Sequence, residues 1–359
     1  MKEIDKKFDL DDIAIVPAII SEISSRSQCE TQSVFKTMEQ GGLQITYPLI
    51  ASPMDTVVCK ENLDRYIKEG IIPCMPRGQK ANSHTSRKHY FQSFGLAEVE
   101  SQLYSDDTNK DYFYKYPNIL IDIANGHMQR LVEVVQAIKQ RFPNITLMVG
   151  NVAHPLTYKN LAMSGADYVR CSIGTGAGCT TAANVAINYP MGSLISECRA
   201  IKEECGLKTK IVADGGTRDY SDIIKALALG ADYVMIGSLF NKSMESSGFN
   251  YLKTFFGRIR IKNYDLARLM WKWGFPIYKK YRGMSTKAVQ RSWGRTSLVT
   301  AEGITKYQKV GYTIHQWVEN FDDYLSSNMS YSGEKDIENF IGKADWVFIT
   351  DKARKRFEK

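Results

Sequence analysis

A chain of 359 residues with 43% hydrophobic and 24% charged side chains has the make-up of a folded globular protein, and its length suits one large α/β barrel without demanding two domains. No apolar run approaches the roughly 18 residues needed to cross a bilayer. The mixed-charge start Met1-Lys2-Glu3-Ile4-Asp5-Lys6-Lys7 leads into no apolar stretch, so the expectation is a cytoplasmic protein without a secretory signal. Seven cysteines, at 29, 59, 74, 171, 179, 198 and 205, form no Cys-x-x-Cys pair, which argues against a disulfide framework and a zinc site.

In chain order, short apolar runs of strand length occupy residues 48–54, 71–75, 118–124, 145–151, 168–174, 210–216 and 233–238, each ending in small or polar residues. Between the later runs lie segments of helical spacing, such as Leu131, Val134, Val135 and Ile138, or Ile223, Ile224, Leu227 and Ala228 before Gly230. Alternating strand and helix implies parallel strands joined by crossovers. A weak repeat, Ser164-Gly165-Ala166-Asp167-Tyr168-Val169-Arg170 and Leu229-Gly230-Ala231-Asp232-Tyr233-Val234-Met235, sets a glycine helix stop before a strand twice. The pattern points to a single closed (β/α)8 barrel, the TIM-barrel architecture, spanning residues 1–359. The alternative, a doubly wound open sheet, lacks its Gly-x-Gly-x-x-Gly fingerprint after the first strand.

Residues 241–282 interrupt this rhythm and read as an insertion, a flap segment within the barrel. Between Phe249 and Tyr281 stand eight basic residues (Lys253, Arg258, Arg260, Lys262, Arg268, Lys272, Lys279, Lys280) and one acid, Asp265, which accounts for most of the net charge of +8. Aromatic and cationic residues together suit single-stranded nucleic acid, and Leu269, Met270, Trp271 and Trp273 beside Arg268 and Lys272 suit a membrane surface. The favoured reading is a flap or oligomer contact near the active site, where Lys and Arg attract phosphate-bearing ligands.

Barrel chemistry sits on the loops after the C-terminal strand ends. Asp214-Gly215-Gly216 and Ile236-Gly237-Ser238 end successive strands, where glycine lets backbone N–H groups approach a phosphate. Either motif alone reads equally as a strand end; two in succession favour a phosphate site, with Asp214 placed to accept hydrogen bonds from ribose hydroxyls. The loop Gly174-Thr175-Gly176-Ala177-Gly178-Cys179-Thr180-Thr181 crowds three glycines before a cysteine. A free thiol is mostly protonated at neutral pH, so nucleophilic work needs a nearby positive potential or a proton acceptor. The other six cysteines read as buried, inert small hydrophobes; Cys179 reads as the nucleophile.

These stretches, with Asp11-Asp12-Ile13-Ala14-Ile15-Val16-Pro17, Ala51-Ser52-Pro53-Met54-Asp55-Thr56-Val57, Asp122-Ile123-Ala124-Asn125-Gly126-His127, Gly150-Asn151-Val152, Ala213 to Arg218, Met235 to Phe240 and Tyr281-Arg282-Gly283-Met284-Ser285, are collinear with a known pattern. The chain resembles the IMP dehydrogenase and GMP reductase family from about Phe8 to Phe357. The resemblance implies covalent attack of Cys179 on purine C2, forming a thioimidate, with Thr181 and Glu302 assisting loss of ammonia. It implies substrate contacts by Asp214, Gly215, Gly216, Gly237, Ser238, Tyr281, Gly283, Met284, Ser285 and Gly303. It further implies cofactor contacts by Arg77, Asp122, Ala124, Asn125 and Gly126, a potassium site on the carbonyls of Gly174, Gly176 and Cys179, and a homotetramer.

Two branches divide the family. IMP dehydrogenases use an Arg-Tyr pair on a mobile flap and usually carry inserted CBS regulatory domains; here the flap reads Gln290-Arg291-Ser292-Trp293-Gly294-Arg295, and residues 79–92 leave no room for such domains. The expectation is therefore GMP reductase, converting GMP to IMP and ammonia with NADPH. The alternatives are IMP dehydrogenase oxidising IMP to XMP with NAD, a related reaction on another purine nucleotide, and a non-catalytic purine-nucleotide-binding protein. The chain departs from the family pattern at Ala177, Ala182 and Pro76, so phosphate binding falls to backbone amides near Gly216, Gly237 and Ser238.

Overall fold

The computed structural model describes residues 6–36, 43–83, 85–104, 113, 115–286, 289, 291 and 303–357. Three short strands precede the barrel: β1 (Ile13–Ile15) and the hairpin β2 (Ser33–Lys36) and β3 (Leu43–Thr46). The barrel strands are β4 (Leu49–Ala51), β5 (Ile72–Met75), β6 (Phe91–Phe94), β7 (Asn118–Asp122), β8 (Thr146–Val152), β9 (Tyr168–Cys171), β10 (Lys210–Asp214) and β11 (Tyr233–Ile236). They are parallel and hydrogen-bonded in chain order, with β11 closing on β4. The expected (β/α)8 barrel is the observed fold.

Seven of the eight strands coincide with the apolar runs. The eighth, β6, reads Phe-Gln-Ser-Phe, and its polar centre hides it from hydropathy; the closed barrel nevertheless buries all four side chains. Gln92 is accommodated by donating from Nε2 to the Gln79 carbonyl at 3.0 Å. The barrel interior is filled by Ile50, Ile72, Cys74, Phe91, Leu120, Met148, Tyr168, Val212, Tyr233 and Met235, a packed core and not a pore. Phe35 of the β2–β3 hairpin joins that cluster fully buried, and aromatic contacts with Phe91 and Tyr168 hold it there.

Helices Gln129–Arg141 and Tyr220–Ala228 form where the 3.6-residue spacing puts them, with the four apolar residues of each stripe buried against the sheet. The glycine-alanine-aspartate repeat has a shared structural cause. Asp167 and Asp232 each accept a backbone N–H from the neighbouring strand, from Leu147 and Ile211 at 2.7 Å, and each pairs with lysine. Among the described residues no helix is long and apolar enough to cross a membrane.

After β11 the chain leaves the barrel and builds an antiparallel sheet of β12 (Asn250–Thr254), β13 (Gly257–Ile261), β14 (Ile277–Arg282) and β15 (Thr305–Lys309), in the order β13-β12-β14-β15. It returns through the helix Ile314–Ser332, and β16 (Trp346–Phe348) pairs with β1. The sheet therefore reaches past residue 282, because β15 supplies the edge partner that β14 requires. Met244, Ala267, Ile277 and Val310 form its own small core.

Lys279, one of the eight basic residues, is not on a solvated face. It is 1% exposed on β14, with Nζ donating to the Ser246 carbonyl at 2.8 Å. Burial pushes its pKa down to about 7, against the opposing charge of Glu245. The unfolded chain holds that proton to about pH 10.5 and the folded chain only to about 7, so the unfolded state binds more protons between those values and stability rises with pH there. A buried ammonium whose hydrogen-bond partner is a neutral carbonyl stays largely uncompensated for its lost hydration, so an apolar side chain of similar length is favoured wherever the lysine would be charged. Lys279→Met is accordingly expected to raise the urea midpoint at pH 7 and below, with the advantage shrinking at higher pH; a difference that is constant from pH 6 to 10 contradicts the assignment.

Candidate active site

The C-terminal strand ends converge on Cys179. Its loop leaves β9 and turns at Gly176, whose carbonyl accepts the Cys179 N–H at 2.8 Å. The Cys179 thiol donates to Thr181 Oγ1 at 3.2 Å, and the Thr181 N–H points to Sγ at 3.5 Å. The thiol is partly exposed, as are those of Cys29 and Cys59, and Cys205 is exposed; of the six cysteines expected to be buried, only Cys74, Cys171 and Cys198 are, so the loop contacts and not exposure single out Cys179.

The insertion clasps this loop from above. The Ile304 N–H donates to the Gly178 carbonyl and the Gly283 N–H to the Ile304 carbonyl, both at 3.0 Å, while Cys179 bridges Gly303. The approach demands glycine: a Cβ on Gly283 would sit 2.5 Å from the Gly178 carbonyl oxygen. Ser285 lies against Gly303, and Met284 packs on the core below. Tyr281, 3% exposed, directs its hydroxyl to Met54 Sδ at 3.7 Å and lies beside Gly237. Burial, reinforced by the charges of Asp214 and Cys179, raises the Tyr281 pKa, so the phenol stays protonated. Arg282 forks onto Asp55, in the loop after β4, and anchors the insertion to the barrel rim; the same contact raises the Arg282 pKa.

The second wall comes from β10 and β11. Gly215 and Gly216 adopt φ of +85° and +87°, and a Cβ on Gly215 would lie 3.1 Å from Gly176 Cα, so the two loops touch. Among the described residues the N–H groups of Gly216, Gly237 and Ser238 donate to no protein acceptor, which leaves three adjacent donors for an anion. The Ser238 hydroxyl is committed differently, donating to Gln308 Oε1 at 3.1 Å.

Sequence reasoning missed the group that organises the floor. Arg170 on β9 is 5% exposed and bridges two carboxylates: Nη1 to Asp122 Oδ1 at 2.5 Å, and Nε and Nη2 to Asp214 Oδ2 at 3.1 and 2.8 Å. Burial opposes its charge, but Asp214 and Asp122 outweigh that and raise its pKa. Asn151 Nδ2 adds a third hydrogen bond to the same Asp214 oxygen at 2.6 Å, from a register shift in β8 at Gly150/Val152. All three hydrogen bonds to Asp214 among the described residues fall on Oδ2. The available signal was an arginine inside an otherwise apolar run.

The residues expected to meet the cofactor divide. Asp122 is tied to the Cys179 side through Arg170, and its loop continues through Ala124, Asn125 and Gly126, where Asn125 Oδ1 accepts the His127 N–H at 3.0 Å and the Gly126 N–H donates to the Asn151 carbonyl at 2.8 Å. Burial and neighbouring His154 lower the His127 pKa. Arg77 stands after β5, its guanidinium against Gly95, on the side of the barrel mouth opposite β9. Glu302 lies outside the described residues, as do Gln290 and residues 292–295 of the flap. No group of three or more His, Cys, Asp or Glu among the described residues is placed to hold a metal ion.

Fold and site together define a barrel with a cysteine loop at its mouth, flanked by an anion cradle and an arginine-fixed carboxylate. Residues 115–265 match the family model described as IMP dehydrogenase / GMP reductase domain. The GMP reductase of Vibrio vulnificus (strain YJ016) is 27% identical, over 94% of each chain. GMP reductase 2 of Bos taurus is 30% identical, over 68% of this chain and 71% of the relative. The inosine-5'-monophosphate dehydrogenase of Chlorobaculum parvum is 35% identical, over 65% of this chain and 45% of the relative. The chain belongs to the IMP dehydrogenase / GMP reductase family, and so to the oxidoreductases of purine nucleotides.

Proposed function

We propose that the chain is an NADPH-dependent GMP reductase, with Cys179 as its nucleophile. The observation that carries the reading is the Cys179 thiol hydrogen-bonded to Thr181 Oγ1 on a loop that touches the Gly215–Gly216 turn, at the same barrel mouth as the Gly216, Gly237 and Ser238 donors. That arrangement suits a nucleotide with its phosphate on the free N–H groups and its ribose on Asp214 Oδ1. Purine C2 is then presented to Sγ.

Thiolate addition at C2 forms the C–S bond and moves the ring electron pair to N3, which takes a proton. The amine leaves as ammonia once protonated, and Thr181, with Glu302, is the relay for that proton. A bound nicotinamide cofactor would supply hydride at C2; the C–S bond then breaks with its electron pair returning to Sγ, and Cys179 is regenerated with IMP. GMP, NADPH and two protons thus yield IMP, NADP and ammonium.

The residues present suit a nicotinamide cofactor. Asp122 fixes one wall of the mouth through Arg170, Gly126 leaves room beside the Asn151 carbonyl, where a Cβ would come within 2.7 Å, and Arg77 sets its guanidinium against Gly95 at the far rim. A potassium ion on the Gly174, Gly176 and Cys179 carbonyls would use the second lone pair of the Gly176 oxygen, whose first accepts the Cys179 N–H. No step above depends on it.

The reductase reading is favoured by relatives bearing that name along 94% of both chains. The test is nicotinamide absorbance with GMP and NADPH in one cuvette and IMP and NAD in another. Oxidation confined to the first is expected. Reduction confined to the second overturns the reading in favour of the dehydrogenase.

A further inference from the structure

The end of the insertion sheet away from Cys179 has a structure that nucleotide chemistry does not use. At the tip of the β12–β13 hairpin, Phe255 and Phe256 are 98% and 96% exposed. The ladder closes with Thr254 opposite Gly257, so both rings stand beyond the last paired residues. A second aromatic turn lies beside them. β14 runs antiparallel to β12 with Leu252 opposite Ile277, and the Lys253 N–H donates to the Pro276 carbonyl at 3.3 Å, which sets residues 273–275 at the same end of the sheet. Trp273 there is 69% exposed and Phe275 46%.

A basic collar surrounds this apolar tip. Lys253 and Arg258 face each other directly behind it, Lys272 enters the second turn, and Lys309 ends β15 opposite Tyr278; all four are exposed. The opposite end of β14 holds Tyr281 and Arg282 at the barrel mouth, so contact at the aromatic end leaves the mouth uncovered.

We propose that this end of the insertion docks on an anionic lipid surface, with the aromatic tips at the headgroup–acyl boundary and the basic collar on lipid phosphates. Aromatic side chains favour that boundary, and an anionic leaflet attracts cations within a Debye length. The charge is complementary along the whole segment, where Asp265 is the sole acid between Phe249 and Tyr281. A second copy of the chain fits less well: two such ends brought together would oppose their Lys253, Arg258, Lys272 and Lys309 collars, with Asp265 the sole acid of each segment. Nucleic acid also fits less well, because stacking successive bases needs ring faces that lie parallel along a groove. The tip rings stand edge to face at 86°, and Arg258 and Arg260 already cover Tyr307 and Phe249, at 4.3 and 3.6 Å from the ring centroids.

The experiment is co-sedimentation of the full chain with vesicles of phosphatidylglycerol and phosphatidylcholine in equal parts, and with phosphatidylcholine alone. Sedimentation with the first only, weakened by salt, is expected. Phe255→Ser with Phe256→Ser should lower the partition by about tenfold or more. Lys253→Ala with Arg258→Ala should lower it by about 25-fold, roughly fivefold per charge. Far-UV circular dichroism identifies any variant that fails to fold, and the other pair then decides. Absence of vesicle binding, or equal binding by wild type and folded variants, overturns the proposal. So does a phenylalanine pair whose removal instead dissolves an oligomer in light scattering or releases single-stranded RNA.

Discussion

Cys179→Ala should reduce GMP-dependent oxidation of NADPH by about 10⁴-fold or more, the scale on which loss of a covalent nucleophile acts. The thiol is partly exposed and its loop is held through backbone contacts of Gly176, Gly178 and Gly303, so the alanine protein should fold and bind nucleotide normally. Thr181→Ala should be milder, about 10²-fold, because it removes a proton relay and leaves the attacking atom. Mass spectrometry of an acid-quenched wild-type reaction should show a nucleotide adduct on the peptide containing Cys179. Unchanged turnover by Cys179→Ala defeats the nucleophile assignment. An adduct formed from IMP and NAD, with none from GMP, keeps the nucleophile and reassigns the reaction.

The barrel was legible because a parallel sheet covered on both faces writes its strands as short continuous apolar runs. It failed at β6, where Gln92 and Ser93 are buried by closure of the sheet and not by their own hydropathy. The Cys179 loop was legible because three glycines in five residues have few other uses. The insertion showed only as a change of composition. Its sheet was invisible because β13 exposes Gly257, Arg258, Ile259 and Arg260 in succession, which erases the alternation that marks a strand. Charge counting misled at Lys279, which contributes to the basic sum but is enclosed by the sheet. Arg170 was illegible for a different reason. A lone arginine in a strand acquires meaning only when carboxylates 48 and 44 positions away in sequence fold onto it.

That convergence sets the second large effect. Arg170→Met keeps the length and packing of the side chain but leaves Asp122 and Asp214, with side chains 16% and 12% exposed, facing each other without a cation. Breaking a buried ion network by removing one partner typically costs about 3–5 kcal/mol, because the remaining charges stay desolvated and unpaired. The loss should appear as a lower urea midpoint with an unchanged slope. It should also appear in binding: Asp214 Oδ2 loses two of its three hydrogen bonds, retaining only Asn151, so the oxygen left for ribose is no longer fixed. The nucleotide KM should therefore rise more than kcat falls, the reverse of the pattern expected for Cys179. Arg170→Lys separates charge from geometry. An ammonium carries the charge but lacks the planar fork that reaches both carboxylates, so stability should recover in part while KM stays high. Wild-type stability and KM in Arg170→Met would mean that the Asp122–Arg170–Asp214 bridge neither holds the barrel mouth nor orients the nucleotide.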